Sequence, residues 1–227
     1  MKLAIVIPVY NEGSVIRNVI ESLPKKIKGI KDVTVVAVND GSTDDSAEQI
    51  KKTSAILIDL SINMGAGAAT TAGLEGAKIL NSDIAVTMDG DGQHNPADIE
   101  KLIKPIQAKK ADLVIGTRLV NPRGMPWYKQ IGNKGLSLAT FLLSGRWTTD
   151  SQSGFKAFSR KALEKLKMEM LGYEFCSEVV MDAATKKLKI KEVPVEVIYS
   201  EYSKRKGQSI FNGVNIIVKL FFKKITG

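Results

Sequence analysis

The stretch Ile84–Pro96 reads IAVTMDGDGQHNP and changes from apolar to polar halfway along. Its first five residues predict a buried strand, and Asp89 and Asp91 follow on either side of Gly90. Alternate residues of an extended chain project to the same side, so the two carboxylates can face one point. Oxygen ligands of this kind suit Mg2+ or Mn2+, which proteins commonly share with nucleotide phosphates. The stretch predicts a metal–diphosphate site at a strand end, with a solvated acidic turn as the alternative.

Strand and helix patterns alternate on both sides of this stretch. Apolar runs that predict buried strands lie at Leu3–Val9, Val33–Val38, Ala55–Leu60, Ile84–Met88 and Leu113–Gly116. Strands that are apolar on both faces and alternate with helices indicate an open, mainly parallel α/β sheet. Asn95 and Pro96 have the residue types of a helix N-cap and first helical position, so we expect a helix to begin there.

Polar or glycine-rich segments follow four of these strands. They are Tyr10–Glu12, Asp40, Asn63–Gly67 and Asp89–Gln93. In open α/β sheets, ligands bind outside the carboxyl ends of the strands. We therefore expect these four segments to meet at one ligand site.

Composition and charge limit the class of protein. The chain has 227 residues, of which 44% are hydrophobic, and this suits one globular domain with a real core. Cys176 is the only cysteine, so no internal disulfide can form and a reducing compartment is expected. Its apolar helical surroundings predict a core position. The net charge of +9 predicts an anionic partner, namely nucleic acid, an anionic membrane surface or phosphorylated substrates.

The alternation ends after Arg118. A long helix is predicted from Trp127 to about Leu143, and a basic loop is predicted at Tyr202–Ser209. The last segment, Ile210–Ile225, has an apolar helical stripe flanked by Lys219, Lys223 and Lys224. Such a helix can either cap the core or lie in a membrane interface with its lysines toward anionic head groups.

Four motifs of the first half resemble those of the family-2 glycosyltransferases, which have the GT-A fold. They are IPVYNE at Ile7–Glu12, NDGSTDDS at Asn39–Ser46, NMGAGAA at Asn63–Ala69 and MDGDGQHNP at Met88–Pro96. Three motifs of the second half are similar to those of the polyprenyl-phosphate glycosyltransferases, such as dolichol-phosphate mannose synthase. They are GTR at Gly116–Arg118, DSQSGFKAFSR at Asp150–Arg160 and KGQS at Lys206–Ser209. The resemblance implies a GT-A-type, Rossmann-like sheet flanked by helices, with a C-terminal amphipathic interfacial helix.

The resemblance also implies roles for the matched positions within a single domain, 1–227. Residues 1–118 would bind the nucleotide-sugar, 119–209 the acceptor, and 210–227 would associate with the membrane. The implied donor-binding residues are Pro8, Tyr10, Glu12, Asp40, Asp89, Gly90 and Asp91, and the ligands of Mn2+ or Mg2+ are Asp89, Asp91 and Gln93. Asp91 and Arg118 are the implied catalytic residues, and the acceptor-phosphate ligands are Arg118, Lys204, Arg205, Lys206 and Ser209. His94 follows the metal motif and is interpreted as a loop residue.

The acceptor is suggested by what the sequence lacks. Family members that glycosylate hydroxyl groups usually carry a Glu-Asp pair as the base, and this chain has no such dipeptide. A phosphate monoester is largely dianionic at pH 7, so it needs positioning rather than deprotonation.

We therefore expect inverting, metal-dependent transfer of a sugar from a UDP-sugar or GDP-mannose to dolichyl or undecaprenyl phosphate. The enzyme would act as a peripheral protein at the cytoplasmic membrane face. Transfer to a glycan or glycolipid hydroxyl is the alternative reaction. Nucleic-acid binding by the basic face is the alternative of a different class, and it lacks the aromatic residues expected of single-strand binders.

Overall fold

The computed structural model describes residues 1–119, 125–198 and 210–226. The strands are β1 (Lys2–Val9), β2 (Asp32–Asp40), β3 (Ile56–Leu60), β4 (Ile84–Thr87), β5 (Leu113–Thr117), β6 (Lys156–Ser159) and β7 (Ile190–Pro194). The helices are α1 (Ile16–Glu21), α2 (Ser46–Lys51), α3 (Ala66–Ile79), α4 (Asp98–Gln107), α5 (Trp127–Ser144), α6 (Arg160–Lys165), α7 (Phe175–Thr185) and α8 (Ile210–Thr226).

The strands form one sheet in the order β3-β2-β1-β4-β6-β5-β7. Strands β1 to β4 run parallel to one another, as do β5 and β7. Strand β6 is antiparallel to both β4 and β5, between which it lies. The mainly parallel sheet expected from the sequence is confirmed. The reversal of β6 was not predicted, because alternation of side chains has the same period in either strand direction.

Residues of β1 alternate between two apolar cores, one on each face of the sheet. Leu3, Ile5 and Ile7 pack in the core with residues of α1 and α4. Ala4 and Val6 pack in the opposite core with residues of α3, α6 and α7. This double burial explains why the strand is apolar from Leu3 to Val9, since each fully buried aliphatic side chain contributes about 1.5–3 kcal/mol.

Helix α4 begins later than the sequence predicts. Asn95 and Pro96 form a turn, in which the Asn95 side-chain oxygen accepts a hydrogen bond from the Ala97 amide at 3.0 Å. The helix starts at Asp98, whose buried carboxylate accepts from the backbone amide of Glu196 at 2.7 Å. The N-cap prediction at Asn95 is therefore wrong, because this side chain stabilises the turn rather than the first helical turn.

Helix α8 packs on the domain through one side. Ile216 and Leu220 are buried against Leu136 of α5. The opposite side exposes Phe221 and Phe222 among other apolar residues. In the part of the chain that the structure describes, no helix is long and apolar enough to cross a membrane.

Two of the α8 lysines expected to face head groups, Lys219 and Lys223, form ion pairs with the domain. Lys219 contacts Glu174 at 2.8 Å. Lys223 contacts Glu169 at 3.0 Å and also pairs with the buried Glu178. These ion pairs fasten α8 to α7 and the segment before it.

Candidate active site

The two aspartates of the central stretch lie in the loop that follows β4. Asp89 Oδ2 is 3.0 Å from Nε2 of His94. Asp91 Oδ1 accepts from the backbone amide of Gln93 at 2.9 Å, and Oδ2 accepts from the Gln93 side-chain amide. Gly92, with φ of +75°, makes the turn that brings Gln93 back to Asp91. As placed, Gln93 holds Asp91 by donating a hydrogen bond, so its role as a metal ligand stays a prediction.

The pKa values of the two aspartates are shifted in opposite directions. Burial, and then the negative charge of Asp89, raise the pKa of the Asp91 carboxyl. For Asp89, burial is outweighed by the hydrogen bond and charge of His94 and by the charges of Arg118 and Lys156, so its pKa is lowered. Two carboxylates that repel each other form a favourable place for a divalent cation.

The donor set fits a metal that is shared with a ligand. Among the residues described, no three or more His, Cys, Asp or Glu side chains group so as to hold a metal ion. A cation at Asp89 and Asp91 would need further oxygen ligands from a bound molecule. Diphosphate oxygens suit that requirement for Mg2+ or Mn2+.

Loops after β1 and β2 are joined beside this site. The backbone amide of Asn11 donates to Ser42 Oγ at 3.0 Å, and that of the buried Glu12 donates to Ser46 Oγ at 2.9 Å. Tyr10, at the same strand end, is exposed. The contacts place the predicted donor-binding residues of β1 next to the motif that follows β2.

Asp40 binds a neighbouring loop of the protein. Its two carboxylate oxygens accept from the backbone amides of Met64 at 2.7 Å and Gly65 at 2.9 Å. Gly65 has a φ of +101°, and a Cβ atom there would lie 2.5 Å from the Leu171 carbonyl oxygen. Asp40 therefore shapes the loop before α3, and its predicted contact with the nucleotide stays a prediction.

Close packing also explains Gly90. A Cβ atom at this position would lie 3.3 Å from the carbonyl oxygen of Pro8 and 3.3 Å from Cγ2 of Ile7. The glycine thus lets the loop after β4 lie directly against the end of β1. Gly90 and Pro8 are both predicted donor-binding residues, and the structure places them together.

Arg118 forms a two-pronged ion pair with Asp150. Its Nε lies 2.7 Å from Oδ2 and its Nη2 lies 2.9 Å from Oδ1, while its backbone amide also donates to Oδ2 at 3.1 Å. Asp150 is fully buried. Burial alone would raise the pKa of Asp150, but the charge and hydrogen bonds of Arg118 lower it. The pair fixes the Arg118 guanidinium beside the aspartate loop, where its charge acts on Asp89.

Lys156 is a second cation near the site. It is fully buried on β6, and its Nζ donates to the carbonyl oxygens of Ser151, at 3.4 Å, and Ser153. Its charge lowers the pKa values of both Asp89 and Asp150. Because these contacts hold the segment that carries Asp150, Lys156 supports the position of Arg118 indirectly.

Several predicted residues act on one another electrostatically. The negative charges of Asp89 and Glu12 raise the pKa of Asp91, and the positive charge of Arg118 lowers the pKa of Asp89. The predicted acceptor-phosphate ligands Lys204, Arg205, Lys206 and Ser209 lie outside the described residues. Sequence reasoning missed the contacts of His94, Asp150 and Lys156. The motif DSQSGFKAFSR contains two of them, but a motif does not show which side chains meet.

Comparison with known proteins identifies the relatives of this chain. The model of the family "Glycosyl transferase family 2" matches residues 4–167. The UDP-N-acetylglucosamine–dolichyl-phosphate N-acetylglucosaminyltransferase of Methanococcus voltae is 39% identical over 243 residues, covering 97% of this chain and 95% of the relative. An uncharacterized protein of Methanocaldococcus jannaschii is 38% identical, covering 99% of this chain and 93% of that protein.

A solved structure has the same fold. Glucosyl-3-phosphoglycerate synthase of Mycobacterium tuberculosis, in complex with Mn2+ and UDP-glucose, matches with a TM-score of 0.73 at 19% identity. The match covers 98% of this chain and 78% of the synthase. The GT-A-like sheet flanked by helices is thus shown by structure as well as by sequence.

Proposed function

The chain belongs to glycosyl transferase family 2 and is a glycosyltransferase. We propose that it transfers N-acetylglucosamine from UDP-N-acetylglucosamine to a polyprenyl phosphate such as dolichyl phosphate. The observation that carries the proposal is the paired carboxylates of Asp89 and Asp91 beside the fixed guanidinium of Arg118. The similarity to the Methanococcus voltae enzyme along nearly the whole of both chains supports this choice of donor and acceptor.

The donor half of the proposal places the diphosphate at the aspartates. Asp89 and Asp91 would hold Mn2+ or Mg2+, which would act as a Lewis acid on the departing nucleoside diphosphate. Gln93 fixes the orientation of the Asp91 carboxylate by donating hydrogen bonds to both of its oxygens. Residues 1–118 supply these groups, together with the Tyr10–Glu12 and Asp40 strand ends that would surround the nucleoside.

The acceptor half of the proposal uses cations rather than a base. Arg118 is oriented by Asp150 before any substrate binds, so it can attract a phosphate without reorganising. A phosphate monoester at pH 7 carries a nucleophilic oxygen that needs no deprotonation. A single displacement by that oxygen at the anomeric carbon inverts the configuration of the sugar. Residues 119–209 would form this acceptor half.

Membrane association would come from apolar side chains that the domain leaves exposed. On α8 these are Ile217, Val218, Phe221, Phe222 and Ile225. On α5, which packs beside α8, they include Trp127, Ile131, Leu138 and Leu142. Aromatic and aliphatic residues on the outer side of a helix suit the boundary between head groups and acyl chains. Binding of this face to the cytoplasmic membrane surface would bring the site to its lipid acceptor.

Transfer assays test the proposal directly. The purified protein is incubated with Mn2+ or Mg2+, with dolichyl phosphate in vesicles and with labelled UDP-N-acetylglucosamine, UDP-glucose or GDP-mannose. We expect label in the lipid phase with UDP-N-acetylglucosamine, and none after removal of the metal with a chelator. Asp91→Asn should abolish transfer. Asp32→Asn should leave transfer unchanged, because Asp32 begins β2, at the end of the strand away from the site.

The same assay separates the alternatives. Dolichol, which lacks the phosphate, and a glycan acceptor replace dolichyl phosphate in parallel reactions. Label in either of these, without label in dolichyl phosphate, would establish the hydroxyl-acceptor reaction instead. Label from GDP-mannose alone would overturn the choice of donor, and no label with any donor would overturn the proposed reaction.

A further inference from the structure

The Asp89 carboxylate is partly exposed, and two residues outside the predicted metal ligands lie against it. One is His94, whose ring is buried and whose Nε2 lies 3.0 Å from Asp89 Oδ2. An ionised carboxylate can only accept, so Nε2 carries the proton in this contact. The His94 ring also packs on Phe155, with ring centroids 4.7 Å apart. This packing leaves the imidazole little freedom to turn away from Asp89.

The other residue is Gly154, which lies close to both carboxylate oxygens. A Cβ atom at this position would stand 2.5 Å from Asp89 Oδ1 and 2.8 Å from Oδ2. The backbone at Gly154 is itself fixed, because Thr87 Oγ1 donates to its carbonyl oxygen at 2.6 Å. No methyl group fits between this backbone and Asp89 unless the carboxylate moves.

We propose that His94 and Gly154 are positioning residues that hold the Asp89 carboxylate in an orientation suited to sharing a divalent cation with Asp91. His94 fixes Oδ2 through a hydrogen bond, and Gly154 keeps the space that Oδ1 occupies. This inference rests on the proposed metal–diphosphate site and adds the residues that shape it. His94 is not itself a ligand in this arrangement, because its Nε2 is directed at Asp89 and its Nδ1 is buried.

Three substitutions test separately the space at Gly154 and the hydrogen bond of His94. Gly154→Ala pushes the Asp89 carboxylate out of place, and His94→Phe keeps a ring against Phe155 while removing the hydrogen bond. Loss of a group that orients a metal ligand typically weakens metal binding about 10- to 100-fold, and we expect this range for both variants. His94→Gln, which retains an amide donor, should recover part of the loss. Gly135→Ala is the matched control, because a Cβ atom there meets nothing within 4 Å.

The experiment measures the affinity of the full chain for Mn2+ in the presence of UDP, by calorimetry and by the paramagnetic resonance of free Mn2+. Circular dichroism confirms that each variant is folded. Wild-type affinity in both His94→Phe and Gly154→Ala would overturn the inference. If Gly154→Ala does not fold, the affinities of His94→Phe and His94→Gln decide the question.

Transfer kinetics give a second readout that a general structural defect would not reproduce. In both variants, raising the Mn2+ concentration should restore kcat toward the wild-type value, because only metal occupancy is reduced. A kcat that stays low at saturating Mn2+ would contradict a positioning role. Failure of the proposed function is distinguishable: without a metal–diphosphate site the wild-type chain itself would bind no Mn2+ or Mg2+ with UDP, and with a different donor or acceptor it would bind the metal but fail the transfer assay.

Discussion

Replacing Asp150 by asparagine tests the ion pair that fixes Arg118. The carboxylate is fully buried and accepts three hydrogen bonds from Arg118, at 2.7, 2.9 and 3.1 Å. Asparagine has the same shape, but it removes the charge and turns an NH2 group toward the arginine donors. Removing one partner of a buried pair costs about 3–5 kcal/mol. Because the Arg118 side chain is 19% exposed, we expect the lower end of that range.

A loss of about 3 kcal/mol corresponds to a Tm decrease of roughly 6–12 °C for a domain of this size. The direction of the pH dependence follows from the lowered pKa of Asp150. The charge of Asp150 stabilises the fold fully above the ordinary carboxyl pKa of about 4, and this stabilisation is lost as pH falls through the lowered pKa. The difference between wild type and Asp150→Asn should therefore be constant from about pH 8 to pH 5 and should narrow at more acidic pH.

Urea unfolding followed by circular dichroism measures this difference at each pH. Glu21→Gln is the control, because Glu21 pairs with Arg17 at 2.8 Å on the exposed side of α1. Such a surface pair contributes about 0.5 kcal/mol or less. A loss below about 1 kcal/mol in Asp150→Asn, or a difference that widens on acidification, would refute the reasoning. Transfer activity should fall in Asp150→Asn while Mn2+ affinity with UDP is retained, since only Arg118 loses its support.

Three further predictions concern other parts of the molecule. Phe221→Ser should reduce binding to anionic vesicles in a sedimentation assay, yet change the free energy of unfolding by no more than about 0.5 kcal/mol, because the ring is exposed. Cys176 should react with a thiol reagent only as fast as the chain unfolds, since it is buried and burial raises its pKa; fast labelling of the native protein would contradict this. Gly65→Ala should cost about 1–3 kcal/mol in chemical denaturation and raise the donor KM, because its φ is +101° and a Cβ atom would collide with the Leu171 carbonyl. Gly132→Ala, which meets nothing within 4 Å, should do neither.

The sheet and the place of the site could be predicted because both depend on local sequence. Strands β1 to β4 correspond to apolar runs, and each is followed by a polar or glycine-rich segment. The carboxyl ends of neighbouring parallel strands lie on the same edge of a sheet, so the segments had to meet. The contacts of Asn11 with Ser42, and of Asp40 with Met64, are the result.

Features that depend on distant partners could not be predicted in the same way. Asp150 lies 32 residues from Arg118 in sequence, and nothing in its neighbourhood shows that it is fully buried. His94 was interpreted as a loop residue because its ring contacts depend on Phe155, which the fold brings close. The Asn95 prediction failed for a related reason, since the same side chain can cap a helix or close a turn.

The balance of charge in the site explains why a metal and an anionic donor belong together. The side chains that act on one another there are the acids Glu12, Asp89, Asp91 and Asp150 and the cations Arg118 and Lys156. Among these described residues the acids outnumber the cations, and this excess of negative charge repels a nucleoside diphosphate. A divalent cation offsets that excess, and the diphosphate can then supply the oxygen ligands that Asp89 and Asp91 do not. We therefore expect the chain to bind UDP weakly without a divalent cation, and the dependence of UDP affinity on metal concentration to be steep.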